Sequence, residues 1–371
     1  MYIFTFRSGV VMGEEHKFPY EWKISDGYPA NGIEYHGLKV FSCFACGGGS
    51  TMGYKLAGYE VLGCNEIDPR MNECYVANHN PKYNFLEPIQ EFKLRDDIPA
   101  ELYELDILDG SPPCSSFSMA GAREKGWGKK KKFREGQTKQ VLDTLFFDFL
   151  ELAKKLQPKV VIAENVKGLL QGGAREYLKG IGDVFRDAGY RFNYKLLDAS
   201  EMGVPQRRER VFFYGIREDL ADCIEYEDMF KELPYLDLVF SEEKVLYGEI
   251  EEVDAPAEHV FPSLQEYLPK TKEGKGVNTV HPKGHMFNYN KASRFEVLPT
   301  ITAHVDGGGS YHYEVLRKLT KLENCLAGSY PIDYEFKTNE PKYIIGMSVP
   351  PVMTAQIAHR IYEQWFKRIN K

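Results

Sequence analysis

One stretch of the chain reads as a strand, a glycine-rich turn, a helix and a second strand, and this order most constrains the fold. Leu38 to Phe44 is an apolar run followed closely by Cys46 to Gly49, CGGG. Ser50 to Ala57 suits a short helix capped by Gly58, and Tyr59 to Glu66 suits the second strand. Two strands joined by a helix run parallel, so the sequence predicts a parallel sheet.

The alternation of strand and helix continues to about residue 217. Leu105 to Leu108, Val160 to Ala163, Arg191 to Leu197 and Val211 to Ile216 each have the composition of a strand. Thr138 to Leu156 carries one broad apolar face at helical spacing. The fold class is therefore α/β.

The length and the end of the alternation predict more than one domain. A chain of 371 residues exceeds the usual limit of a single core. Acidic and proline-containing segments follow Arg217, which predicts a second, irregular domain over 218–339. A closing helix begins at Pro350-Pro351 and is expected to pack on the first domain, 37–217 plus 340–371. Residues 1–36 form an extension with no evident role.

Composition excludes several classes of protein. A net charge of −7 argues weakly against a nucleic-acid partner, and no apolar run is long enough to cross a membrane. The N-terminus lacks the pattern of a signal peptide. Seven scattered cysteines do not suggest a disulfide framework, so a reducing, cytoplasmic location is expected.

The glycine turn suits a cofactor, although it is not a dinucleotide fingerprint, because Met52 stands where the last glycine would be. Gly47, Gly48 and Gly49 would let backbone N–H groups approach a ligand. Glu66, at the end of the next strand, can accept hydrogen bonds from ribose hydroxyls. The alternative is a tight turn beside a solvated glutamate.

Cys43 and Cys46 form a C-x-x-C pair that admits a metal, a redox or a packing role. Zinc needs about four ligands, and no second pair or nearby histidine cluster accompanies these two. A redox dithiol remains open, but packing thiols are favoured. No metal site is expected.

Four further residues combine into a site for covalent chemistry. Cys114 follows a strand and two prolines, where a thiolate could act as a nucleophile, although a cysteine can equally be a small buried apolar residue. Glu164 ends another strand of the sheet and could hydrogen-bond or protonate a ring nitrogen. Arg208 and Arg210 lie two residues apart where another strand begins, so their side chains point the same way. They could stabilise a carbonyl oxygen that gains negative charge.

These motifs together resemble the cytosine-specific C5 DNA methyltransferases, which use S-adenosylmethionine. The resemblance runs from about Lys39 to Asn370. In order, its motifs are FACGGG at 44–49, NEID at 65–68, SPPC at 111–114, AENV at 163–166, QRRER at 206–210, LPTIT at 298–302 and GMSVPP at 346–351.

The resemblance implies a fold and a set of roles. The fold would be the Rossmann-like S-adenosylmethionine-dependent methyltransferase sheet, mostly parallel with an antiparallel edge strand, beside a smaller target-recognition domain. Cys114 would attack C6 of a flipped cytosine, Glu164 would contact N3 and the exocyclic amine, and Arg208 and Arg210 would support catalysis. The cofactor-binding residues would be Phe44, Gly47, Gly48, Gly49, Glu66, Ile67, Pro113 and, for the adenine amine, Glu87.

Departures from the family pattern occur at Cys46, usually glycine, at Ser115, commonly glutamine, and at Met347, where asparagine is usual. Residues 119–137 are rich in glycine, alanine and basic residues, and are expected to close over double-stranded DNA. The residues expected to contact DNA are Ser118, Trp127, Lys129, Lys130 and Arg134. This local positive charge outweighs the net charge of −7 in deciding the partner.

Two alternatives remain: a cytosine-5 methyltransferase of tRNA, and a catalytically idle DNA-binding module. The chain lacks the Cys-Phe-Thr tripeptide of the tRNA branch, which favours DNA. A cognate restriction endonuclease would be a partner if the protein serves a restriction–modification system. A monomer is the default expectation, because no association helix is evident.

Overall fold

The chain is described by a computed structural model over residues 17–113, 130–131, 140–141, 144–170, 175–224, 235–303 and 308–369. For 130–131, 140–141 and 175–177 only the backbone is described. Within these ranges, no helix is long and apolar enough to cross a membrane.

A seven-stranded sheet forms the centre of the molecule, with strand order β3-β2-β1-β4-β7-β9-β8. Its pairs are parallel except for β7–β9 and β9–β8, so the reversal lies at one edge of the sheet. Its strands are β1 (Lys39–Cys43), β2 (Glu60–Glu66), β3 (Tyr83–Leu86), β4 (Ile107–Gly110), β7 (Val160–Val166), β8 (Tyr190–Asp198) and β9 (Glu209–Arg217). Two further two-stranded pairs are β5 (Lys130–Lys131) with β6 (Gln140–Val141), and β10 (Tyr289–Lys291) with β11 (Gly309–Tyr311). The predicted α/β fold class is confirmed.

Helices surround this sheet. The helices before residue 225 are α1 (Gly49–Leu56), α2 (Pro69–His79), α3 (Ile89–Phe92), α4 (Leu145–Leu156), α5 (Arg175–Asp187) and α6 (Glu218–Ala221). The later ones are α7 (Tyr247–Ile250), α8 (Pro262–Tyr267), α9 (Lys321–Ala327), α10 (Pro341–Met347), α11 (Pro351–Ile361) and α12 (Lys367–Ile369), with a π-helical turn over Tyr362–Phe366. Short 3-10 helices span Ile24–Asp26, Ala100–Glu104, Lys167–Leu170, Ala199–Glu201 and Val277–Thr279.

The predicted C-terminal helix packs on the first domain, as expected. Helix α11 lies against α1 so closely that a Cβ on Gly53 would stand 2.5 Å from the carbonyl oxygen of Pro351. Ile357, Ile361 and Trp365 are all buried. A small residue at the crossing lets the two backbones approach, and the apolar stripe then fills the core.

The helix predicted over Thr138 to Leu156 begins later than expected. It starts at Leu145, whereas Gln140–Val141 pairs as a strand with Lys130–Lys131. Val141 extends the apolar periodicity of the helix, but its backbone is used for strand pairing instead. Pairing with another segment of the chain is not visible in the apolar periodicity of the helix itself.

Residues 17–36, which we call the N-terminal strap, lie against the main core. Phe18 and Trp22 are buried, and the amide of Ala30 donates to the carbonyl of Leu56 at 3.0 Å. His36 stacks on Tyr362 with ring centroids 4.0 Å apart. The strap therefore joins α1 to the C-terminal part of the chain.

The region 218–339 contributes to two cores. Leu236, Tyr247 and Tyr330 share the core of the sheet, whereas a separate small cluster consists of Val260, Leu264, Leu268, Val277 and Tyr311. The boundaries of the two domains stay a prediction.

Candidate active site

The carboxyl ends of the central strands bring the sequence-predicted residues to one edge. Cys43 pairs with Asn65 of β2 and Gly110 of β4, and Gly110 pairs with Ala163 of β7. Since β4 and β7 are parallel, Ser111, which directly follows β4, lies beside Glu164 of β7. This is the edge at which open α/β sheets bind ligands.

A cavity of about 90 Å³ opens at this edge. It is lined by Phe44, Cys46, Glu66, Ile67, Asp68, Met71, Ser111, Pro113, Tyr343 and Met347. Four of these, Phe44, Glu66, Ile67 and Pro113, are predicted cofactor residues. The lining is mainly apolar with two buried carboxylates, those of Glu66 and Asp68, which suits a flat aromatic ring joined to a hydroxylated group.

The Glu66 carboxylate is held by backbone amides. Oε2 accepts from the amide of Cys46 at 2.7 Å, and Oε1 accepts from those of Ile67 and Asp68 at 2.8 Å each. Burial raises the pKa of Glu66, although these donors oppose the effect. A carboxylate offers about four acceptor positions, so capacity remains on Oε2 for a ribose hydroxyl.

The glycine turn is shaped by packing as well as by access to the cavity. A Cβ on Gly47 would lie 2.6 Å from Cγ2 of Ile344, and one on Gly48, whose φ is +83°, would lie 2.0 Å from Nε2 of His79. A Cβ on Gly49 would lie 2.3 Å from the carbonyl oxygen of Val349. These glycines do not line the cavity. A side chain at any of the three positions would instead clash with neighbouring parts of the protein.

Glu164 and Arg210 form an ion pair at the end of β7. Arg210 Nε lies 2.8 Å from Glu164 Oε1, and the two side chains are only 16% and 13% exposed. Burial lowers the pKa of Arg210, and Glu164 opposes this effect. The pair thus sets a carboxylate and a guanidinium together in a largely water-excluded place, where both could bind the polar edge of a base.

Arg208 contacts backbone rather than the cavity. Its guanidinium is buried and donates to the carbonyls of Ile301 at 3.2 Å and Gly346 at 3.0 Å. Burial and the nearby Arg210 lower its pKa to about 9. Arg208 therefore joins β9 to two distant segments, and its predicted part in catalysis stays a prediction.

Asn165 links the two strand ends that carry the predicted nucleophile and carboxylate. Its side-chain amide donates to the carbonyl of Pro112 at 2.9 Å in a buried position. Pro112 lies two residues before Cys114, and Asn165 directly follows Glu164. This bond fixes the approach to Cys114 relative to the Glu164–Arg210 pair.

Asp109, on β4, is a buried carboxylate that sequence reasoning missed. It accepts hydrogen bonds from the hydroxyls of Ser42, Ser50 and Tyr54 at 2.9, 2.8 and 3.2 Å. Burial raises its pKa from 3.8 to about 6, against the effect of these donors. The predicted strand, Leu105 to Leu108, ends one residue before it, and its three hydroxyl partners come from β1 and α1.

The raised pKa of Asp109 makes the folded protein less stable as the pH rises. Because the folded-state pKa lies above the unfolded value, the folded protein binds the proton more tightly, so stability falls as the pH rises from about 4 to about 6. Urea unfolding across this range should show a decline of up to about 3 kcal/mol that Asp109→Asn removes. Asp254→Asn, at an exposed position, is the control. An equal decline in Asp109→Asn and wild-type protein would contradict this role.

Cys43 and Cys46 are packing thiols, as favoured above. Burial raises the pKa of Cys43 well above its ordinary value and that of Cys46 to about 12. Both thiols are free, and Cys46 Sγ contacts Met71 Sδ at 3.5 Å. Among the residues that the structure describes, no group of three potential metal ligands occurs.

Several predicted residues are not placed in the cavity. Glu87 pairs with Arg95 at 3.2 Å and does not line it, so its contact with an adenine amine stays a prediction. Cys114, Ser115, Ser118, Trp127, Lys129 and Arg134 lie outside the described residues, as does the side chain of Lys130. The lining residues that were not predicted to bind the cofactor include four that stand in the motifs, Cys46, Asp68, Ser111 and Met347. The other two are Met71, on α2, and Tyr343, on α10. Neither stands in a motif that the resemblance covers.

Comparison with known proteins agrees with this geometry. Residues 38–363 match the family model of C-5 cytosine-specific DNA methylases. The chain is 36% identical over 183 residues to type II methyltransferase M.FnuDI of Fusobacterium nucleatum, covering 49% of this chain and 48% of that protein. It is 30% identical over 332 residues to orphan methyltransferase M.SPRI of Bacillus phage SPR, covering 81% and 71%. The chain spans about half the length of the first curated relatives it matches.

A solved structure shares the fold. A mutant of Spodoptera frugiperda DNMT2 superposes with a TM-score of 0.59 at 17% identity, covering 88% of this chain and 100% of that one. With the family model matching most of the chain, and with its motifs gathered at one sheet edge, this chain belongs to the C-5 cytosine-specific DNA methylase family.

Proposed function

We propose that the protein is a DNA cytosine-5 methyltransferase that uses S-adenosylmethionine. The observation that carries the proposal is the Glu164–Arg210 pair, which lies at the sheet edge that also forms the cavity around Glu66. The names of the relatives, which are type II and orphan methyltransferases, support it. A cognate restriction endonuclease remains part of the proposal, as does a monomeric, cytoplasmic state.

The cavity residues fit the cofactor. Phe44 and Ile67 would contact the adenine, Glu66 would accept from the ribose, and Pro113 would close the wall next to Cys114. S-adenosylmethionine would supply an electrophilic methyl group. Glu66, a buried carboxylate with remaining acceptor capacity, is the feature that favours a ribose here.

The chain's own residues would perform the remaining chemistry. The Cys114 thiolate would form a bond to C6 of cytosine, the C5=C6 electron pair would become a C4=C5 double bond, and the former C4=N3 pair would take a proton at N3 from the Glu164 carboxyl. C5 would then accept the methyl group that S-adenosylmethionine supplies, with the methyl–sulfur bond of the cofactor breaking and S-adenosylhomocysteine as the leaving product. Loss of the C5 proton to solvent base restores the C5=C6 bond, breaks the sulfur–C6 bond and releases the thiolate, while N3 returns its proton to Glu164. Because the ring is inaccessible inside a duplex, the base must flip out.

Arg210 would support this sequence from the position that the ion pair gives it. Its Nε is engaged by Glu164 and its Nη1 donates to the carbonyl of Glu209 at 2.8 Å, so the other N–H groups of the guanidinium could bind the O2 atom of the ring. The same pairing holds the Glu164 carboxyl in one orientation.

A methylation map tests the function. The gene is expressed in a host without cytosine methylation of its own, and the DNA is sequenced after bisulfite treatment. Methylated cytosines in one sequence context are expected. Purified protein is then offered labelled cofactor with duplex DNA and tRNA in competition. Labelling confined to tRNA would support the RNA alternative, and DNA binding without any labelling would support an idle module.

Glu164→Gln is expected to lower the rate of methyl transfer about 10²- to 10⁴-fold, because glutamine cannot donate a proton to N3. Binding of S-adenosylhomocysteine should stay within twofold of wild type, since Glu164 does not line the cavity around Glu66. Single-turnover transfer to DNA is the measurement, and Glu218→Gln, at an exposed position, is the matched control. Wild-type turnover in Glu164→Gln would contradict its assignment.

A further inference from the structure

The N-terminal strap contacts a segment that in turn contacts the glycine turn. This middle segment is residues 329–336, which we call the back segment. Trp22 Nε1 donates to the carbonyl of Ser329 at 2.9 Å, and the amide of Ile332 donates to the carbonyl of Trp22 at 3.1 Å. The two segments are thus joined in both directions.

Asp333 of the back segment receives two more bonds from the strap. Its Oδ1 accepts from the amide of Ile24 at 2.8 Å, and its Oδ2 accepts from that of Ser25 at 3.0 Å. Although partial burial would raise the pKa of Asp333, these donors lower it. Bonds to an ionised carboxylate are stronger than neutral ones, so Asp333, although exposed, adds to the contact that Trp22 makes in a buried position.

The back segment also contacts the glycine turn. Tyr334 OH donates to the carbonyl of Gly47 at 2.6 Å, and Tyr330 OH donates to Ser348 Oγ at 2.6 Å. A Cβ on Gly47 would stand 2.7 Å from the Tyr334 hydroxyl. Gly47 directly follows Cys46, whose amide holds Glu66. The N-terminal strap therefore contacts the back segment, and the back segment contacts the glycine turn. Cys46 of that turn lines the cavity.

We propose that the N-terminal strap positions the cofactor site through Asp333 and Tyr334. This inference rests on the proposed function. The strap lines no part of the cavity, so it acts by fixing the back segment, which fixes the carbonyl of Gly47 and with it the turn that presents Cys46 to Glu66. Two sites joined in this way are coupled in both directions, so a bound cofactor also tightens the strap.

Asp333→Asn and Tyr334→Phe test the two steps of this connection. Asp333→Asn weakens the bonds from the strap, and Tyr334→Phe removes only the bond to Gly47. Each is expected to weaken binding of S-adenosylhomocysteine about five- to tenfold and to raise KM for S-adenosylmethionine equally, with kcat within twofold. Lys23→Ala, an exposed position of the same strap, should bind as wild type. The double variant should lose less than the product of the two single losses, because both act on one connection.

Hydrogen exchange supplies a readout that a purely structural role would not move. In wild-type protein, S-adenosylhomocysteine should slow exchange of the Ile24 and Ser25 amides severalfold, and Tyr334→Phe should abolish that slowing. Unchanged affinity in both variants, or losses that merely follow the unfolded fraction in thermal scans, would overturn the proposal. Wild-type protein that binds no S-adenosylhomocysteine would overturn the proposed function and this inference with it.

Discussion

Cys114→Ser is expected to lower methyl transfer to DNA by at least about 10³-fold, equivalent to roughly 4 kcal/mol of activation free energy. A serine hydroxyl is almost entirely protonated at neutral pH and is a far weaker nucleophile than a thiolate, so the bond to C6 would not form at a useful rate. The measurement is transfer of labelled methyl groups to duplex DNA under single-turnover conditions.

The position of the preceding residues makes this variant informative. Pro113 lines the cavity, and Asn165 fixes the carbonyl of Pro112, so the two residues directly before 114 are held at the edge of the sheet. The substitution should leave binding of S-adenosylhomocysteine unchanged. Cys223→Ser, the same change at an exposed thiol, controls for general effects of losing a sulfur atom. Cys114→Ser protein that turns over at the wild-type rate would refute the covalent mechanism.

Glu323→Gln is expected to lower the free energy of unfolding by about 3 to 5 kcal/mol, because it leaves Arg317 buried without its charge partner. Both side chains are almost completely buried, and they form two bonds of 2.7 and 2.8 Å. Tyr247 OH donates to the same carboxylate at 2.9 Å, as does the amide of Glu252 at 3.0 Å. Urea unfolding at pH 7 measures the effect.

The same ion pair has a pH signature and a matched control. Burial alone would raise the pKa of Glu323, but Arg317 and the backbone donors lower it overall. Its stabilisation is therefore present above the ordinary pKa of a glutamate and is lost as the pH falls toward the folded value. Glu335→Gln breaks an exposed pair with Lys337 and should cost no more than about 1 kcal/mol. Equal losses in the two variants would contradict the buried pair's role.

The parts of the fold that follow from local pattern could be predicted from the sequence. The strand, turn, helix and strand over 38–66 appear within a residue or two of their predicted bounds, because apolar runs and glycines mark them directly. Helices α2 and α5 and strand β3 were missed. Helix α2 carries a weak apolar face, and β3 alternates between half-buried and exposed residues. Neither element therefore has a strong hydrophobic pattern in the sequence.

For the candidate site too, the residues that stand in motifs could be predicted from the sequence, and those brought in from remote parts of the chain could not. Phe44, Glu66, Ile67 and Pro113 stand in motifs and are found around one cavity. Tyr343 lines that cavity because α10 folds back from a remote part of the chain, and Arg208 binds the carbonyls of Ile301 and Gly346 for the same reason. Such contacts depend on tertiary packing, which the spacing of residues along the sequence does not reveal.

The packing of the glycine turn against the C-terminal part of the chain affects how the protein is made. The cavity needs Cys46 and Glu66, which are synthesised early, and Tyr343 and Met347, which follow some 280 residues later. Since a ribosome adds about 5–20 residues per second, the α1 surface around Gly49 and Gly53 waits tens of seconds or less for its partners. During that interval a growing chain displays an unfinished apolar face. A chaperone that shields it would raise the yield of folded protein more than it would raise the final stability.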